Sequence, residues 1–116
     1  KNSQYRVDLQ VQGEVAVTPE IVSPDNDGMD DFATISYSFP TPGYVANITI
    51  FDANGRPVRY LQRNALCGIK GNFRWDGLGE KMQKLSVGIY IIYTEVFNLN
   101  GKKKQFKNTI VVARRN

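Results

Sequence analysis

Four carboxylates crowd into one short stretch, Ser-Pro-Asp-Asn-Asp-Gly-Met-Asp-Asp: Asp25, Asp27, Asp30 and Asp31, with Gly28 between them. Calcium is a hard cation that takes several oxygen ligands from a flexible loop, and Asp-rich turns containing a glycine supply them. Four unpaired anions held this close also repel one another, a cost that a bound cation would remove. These four residues are the candidate calcium site. The competing reading is a solvated loop, in which Asp and Asn side chains accept hydrogen bonds from nearby backbone N–H groups.

The other reactive residue types are thinly spread. Lys102-Lys103-Lys104-Gln105-Phe106-Lys107 is the densest basic run. Clustered lysines suit a polyanion or an anionic surface. Directly after a turn they also keep an edge strand from pairing with other chains, and this protective role is the better fit. Trp75 with Tyr37, Tyr44, Tyr60, Tyr90 and Tyr93 could form a platform for sugars, although such residues more often pack the core of a sandwich. Cys67 is the one cysteine, and there is no histidine to activate it. Cys-His nucleophilic catalysis therefore has no base. Asp76 and Glu80 could act as an acid–base pair, but nothing in the sequence fixes their separation. No phosphate-binding loop or dinucleotide fingerprint occurs. The expectation is a non-enzymatic module.

The elements that must position these residues are strands. At 116 residues, 41% of them hydrophobic, the chain has the size and composition of one globular domain. Residues 1–58 hold three bases against eight acids, whereas residues 59–116 hold twelve bases against three acids. The bases are scattered over strands and loops instead of forming one helix or arm, so no nucleic-acid partner is expected. No apolar run is long enough to span a bilayer. A single cysteine permits no internal disulfide. The sequence opens at Lys1 without a signal-peptide pattern, and is expected to be a piece of a longer protein whose targeting information lies upstream.

Alternation with a period of two recurs along the chain. Tyr5, Val7, Leu9 and Val11 alternate with polar residues, and Val15 with Val17 resumes the pattern after Gly13. Residues 1–20 read as a first strand or as a linker from a preceding domain. Ala33 to Phe39 and Tyr44 to Asp52 each show one apolar and one polar face. Asn54-Gly55 then suits a tight two-residue reversal, and Pro57 should start the return strand at a sheet edge. Asn64 to Asn72 is loop-like in composition, and Phe73-Arg74-Trp75 reads as a short strand. Gly88 to Phe97 is apolar on both faces, as in a central strand covered on both sides. Asn100-Gly101 marks another hairpin, and Lys102 to Ala113 returns as the last strand. About seven short strands without helical periodicity indicate an all-β, immunoglobulin-like antiparallel β-sandwich.

Four motifs stand in order: SPDNDGMDDF, IFDANGRPVRYL, FRWDGLG and LSVGIYIIYTE. Together they resemble the immunoglobulin-like domain of bacterial flagellar hook-capping proteins, a module that recurs at the C-terminus of secreted and surface proteins, especially in Bacteroidetes. The resemblance covers roughly residues 21–113 and implies Trp75 in the core and Gly55 at the reversal. The stretch Glu80 to Val87 departs from that pattern. DANGRPV together with GIYIIYTEVFNLNGKKKQFKNTIVVAR is also similar to the C-terminal sorting domains of type IX secretion substrates. The resemblances imply an extracytoplasmic, non-catalytic module that acts in spacing, docking or assembly, a monomer in isolation. Its partners would be other domains of its parent protein or envelope and export proteins. The alternatives are a type IX sorting domain and a calcium- or carbohydrate-binding accessory module.

Overall fold

Strands whose alternate side chains are apolar can shed that face from water only by stacking on a second sheet. In the computed structural model, which describes residues 13–24 and 31–114, eight strands do this. They are β1 (Glu14–Thr18), β2 (Ile21–Val22), β3 (Ala33–Ser38), β4 (Tyr44–Asp52), β5 (Pro57–Cys67), β6 (Lys70–Trp75), β7 (Gly88–Phe97) and β8 (Lys103–Val112). One sheet has the order β1-β3-β6, the other β2-β8-β7-β4-β5. Among the described residues there is no helix, and hence none able to cross a membrane.

The sandwich expected from the alternation is present, with two differences. The eighth strand is the two-residue β2, and it pairs with β8 in parallel through Ile21 and Val22. All other pairings are antiparallel. The chain thus contributes β1 to the edge of one sheet and, two residues later, β2 to the edge of the other.

Inward-facing residues form two clusters. The larger includes Ile35, Ile48, Ile50, Trp75, Ile92 and Ile110; the smaller holds Phe39, Tyr44, Ala46, Cys67 and Val96. Phe73 packs against both. Trp75 and Ile48 are each 0% exposed, and full burial of such a side chain contributes about 2 kcal/mol or more. The indole N–H of Trp75 donates to the Leu78 carbonyl at 2.9 Å, so its one polar atom is satisfied.

Both hairpin turns differ from the two-residue reversal expected of Asn-Gly. In the β4–β5 turn the Gly55 N–H donates to the Asp52 carbonyl and the Asp52 N–H to the Arg56 carbonyl. This is a three-residue loop, with Gly55 at φ 83° and Asn54 outside the positive-φ region. The Asp52 carboxylate draws the chain in further, because Oδ1 accepts from the N–H groups of Asn54 and Arg56 at 2.9 Å. The β7–β8 turn repeats the device: Asn98 Oδ1 accepts from Asn100 and Lys102, with Gly101 at φ 80°.

The stretch Asn64 to Asn72, loop-like in composition, is mostly strand. β5 pairs with β4 as far as Cys67, and β6 begins at Lys70. Asn64 lies at φ 53°, and its N–H donates to the Asn47 side chain at 2.7 Å, which carries the strand through an irregularity. β5 is a sheet edge that starts at Pro57. β7 is central in its sheet but is covered on one face only. Ile89 is 54% exposed, and Ile91 and Tyr93 are half-buried on the open side.

Candidate functional site

The basic run lies on β8. Lys103, Lys104 and Lys107 are exposed there, and Lys102 precedes them in the turn. β8 pairs with β7 through ten consecutive residues without a register shift. On its other side, among the described residues, β2 covers only Val111 and Val112. Among the described residues the stretch from Lys103 to Thr109 is therefore a sheet edge. Lys103 Nζ pairs with Glu95 at 3.7 Å, and Lys104 Nζ sits 5.1 Å from the centre of the Phe106 ring.

The open face of the five-stranded sheet adjoins this edge. Ile21, Val111 and Ile89 form one cross-strand row, and Ile91 pairs with Phe51 in the next. Tyr93 lies opposite Lys107 on one side and Thr49 on the other. Phe51, Gly55, Ile91, Tyr93 and Lys107 line a groove of about 410 Å³. The Phe51 and Tyr93 rings meet edge to face, with centroids 6.0 Å apart. Burial pushes the Tyr93 hydroxyl above its ordinary pKa, the Glu95 charge adds to this, and a hydrogen bond with Gln105 opposes it.

Asp76 and Glu80 are brought together, by Arg59 and not as an acid–base pair. Arg59 Nη1 donates to Asp76 Oδ1 at 3.1 Å, to the Leu78 carbonyl at 3.1 Å and to the Gly79 carbonyl at 3.3 Å. Glu80 lies 3.9 Å from Arg59 Nε and accepts from the Tyr60 N–H at 2.8 Å. A guanidinium that contacts both carboxylates serves to fasten the loop after β6 onto β5.

Of the calcium quartet, Asp25, Asp27 and Asp30 lie outside the described residues, and Asp31 stands two residues before β3. The aromatics divide. Trp75, Tyr44 and Tyr90 are buried. Tyr37, Phe39 and Tyr44 stack within the smaller cluster, with centroids 5.2 and 4.6 Å apart. Tyr60 and Tyr93 remain at the surface on different strands. Cys67 is 2% exposed, and burial pushes its thiol up, with a Tyr37 hydrogen bond opposing. Sequence reasoning missed two features, the Arg59 clasp and the open apolar face. The signal for the second was present in Ile89, Ile91 and Tyr93, whose apolar character was assigned to a cover that the fold does not supply.

The CHU_C type IX secretion signal domain family matches residues 16–112. No curated protein matches the chain. Among solved structures, the chain is similar to part of PorZ from Porphyromonas gingivalis, described as an essential bacterial surface component of the type IX secretion system. The TM-score is 0.55 and the identity 21%, covering 86% of this chain and 11% of PorZ. It is also similar to CopC from Methylosinus trichosporium OB3b, with a TM-score of 0.56 and 17% identity over 90% of this chain and 97% of CopC. At these identities both likenesses show the fold alone.

Proposed function

The chain belongs to the type IX secretion signal domain family, and from that membership we propose that it is read by the export machinery as the sorting module of a larger exported protein. The observation that carries this reading is the extent of the match. Residues 16–112 run from within β1 to the last residue of β8, so the whole sandwich corresponds to the family and not one hairpin of it. The family is one of secretion signals, which supports a non-catalytic role and delivery to the cell surface or the medium. The test is a fusion of residues 1–116 to the C-terminus of a periplasmic reporter, in a host with a working type IX system. The reporter should reach the surface or the medium, and retention in the periplasm defeats the reading.

A second reading, a hook-capping-like module for spacing and docking, is favoured by the row Ile21, Val111 and Ile89 on the open sheet face. Contiguous exposed apolar side chains of this kind mark contact surfaces. Ile21→Ser together with Ile89→Ser should leave export unchanged and weaken retention of the fusion on the envelope. Unchanged retention counts against docking through this face.

A further inference from the structure

We propose that the β8 edge from Lys103 to Thr109 is a strand acceptor, which takes up an extended acidic segment of the export machinery by adding it to the five-stranded sheet. The biological partner rests on the sorting reading; the acceptor itself rests on geometry. The Val111 N–H donates to the Glu20 carbonyl at 3.0 Å and the Ala113 N–H to the Val22 carbonyl at 2.9 Å. Odd-numbered residues of β8 therefore turn their backbone groups away from β7. The ten-residue register has no shift, so the same orientation holds at Lys103, Gln105, Lys107 and Thr109. Among the described residues no strand pairs with these four on that side. The free stretch is about 20 Å long at about 3.4 Å per residue, and unpaired groups in such a row are a template for another strand.

The other edges are less suited. β5 has register shifts against β4 and starts at a proline. β1, β2 and β6 have five, two and six residues. Among the described residues no strand covers this part of β8, and its own charges are all lysines. A second copy pairing antiparallel about Gln105 would set Lys103 against Lys107 twice, and like charges directly opposite destabilise a ladder. An acidic strand in the same place meets Lys103 and Lys107 with opposite charge. The lysines thus disfavour that self-paired register and make an anionic strand the favoured occupant.

The experiment titrates residues 1–116 with a capped nine-residue peptide of alternating glutamate and valine, followed by amide NMR and hydrogen exchange. Protection should concentrate at the amides of Lys103, Gln105, Lys107 and Thr109, and affinity should fall with salt. Gln105→Pro removes an outward N–H without touching the β7 ladder, and should weaken binding about tenfold. Lys103→Glu with Lys107→Glu keeps the backbone, and should shift the preference to a lysine–valine peptide. Absence of protection at these amides overturns the proposal. So does equal binding of a glutamate peptide of the same charge interrupted by prolines, which can pair by charge but not by ladder. The reporter fusion separates this outcome from the sorting reading. If wild-type and Gln105→Pro fusions are exported alike, export does not read this edge and the sorting reading survives. If neither is exported while the peptide still protects β8, the sorting reading falls and the acceptor stands.

Discussion

Arg59 joins two motifs that are separate in the sequence, the strand after Asn54-Gly55 and the loop after Trp75. Its Nη1 reaches Asp76, Leu78 and Gly79, and its side chain is 18% exposed. The carbonyls it serves also accept from the Trp75 indole at Leu78 and from the Met82 N–H at Gly79, so Arg59 adds to a loop that is already bonded. Arg59→Ala should cost about 2 kcal/mol in urea denaturation. Arg59→Lys should recover less than half of that, because an ammonium lacks the second nitrogen, Nε, that faces Glu80 at 3.9 Å, and lacks the rigid guanidinium plane. Full rescue by lysine would mean that charge alone is at work. Cys67 supplies a test through pH. Burial raises its folded pKa, so the stability contributed by the neutral thiol is whole below the unfolded value of about 8.5 and is lost as pH rises through the folded one. Tyr90 and Tyr93 are raised too, chiefly by burial, and act with the same sign at higher pH. The urea midpoint should fall as pH rises above about 8.5, and Cys67→Ala should remove the earlier part of the fall.

The two hairpin turns are near copies, Asp52-Ala53-Asn54-Gly55-Arg56 and Asn98-Leu99-Asn100-Gly101-Lys102. In each, the first side chain accepts from two backbone N–H groups and the glycine takes the left-handed conformation. A Cβ built on Gly55 or Gly101 meets nothing within 4 Å. Alanine at either position therefore tests backbone conformation without a steric clash. Each substitution should cost about 1 kcal/mol by thermal or urea unfolding, and asparagine should cost less than alanine. A neutral Gly55→Ala would show that the turn relaxes to another type. Strands of this kind were legible where one face is buried. β3 and β4 announce themselves by alternation because the core selects every second residue. β5 beyond Asn64 does not, because an exposed edge strand is free to be polar. Two-residue β2 carries too little pattern to reveal parallel pairing. The Asn-Gly signal located both turns but misjudged their length, since the extra residue is held by Asp52 and Asn98. For the candidate site, the lysine run pointed to an edge strand, whereas which backbone groups face outward depends on the register of β2. The Arg59 clasp spans up to twenty residues and leaves no local mark.

Across the whole molecule the two core clusters are distinct yet share Phe73. The sequence places its one tryptophan and one cysteine in different clusters, Trp75 in the larger and Cys67 in the smaller. Each therefore reports on its own end of the sandwich without any added probe. β4 and β7 run through both clusters, contributing Ile48 and Ile92 to one and Ala46 and Val96 to the other. An opening confined to the smaller cluster would have to fray the sheet's two central strands. Unfolding should then be a single cooperative event. The urea midpoints from Trp75 emission and from Cys67 labelling by a thiol reagent should coincide. Labelling that begins at clearly lower urea than the emission change would mean that the smaller cluster opens as a separate unit. Phe73→Ala sharpens the test, because it removes a ring that both clusters contact. Phe73 is half-buried, so the change should destabilise the domain by about 2 kcal/mol and, if that ring carries the coupling, should draw the two midpoints apart, with Cys67 exposed first.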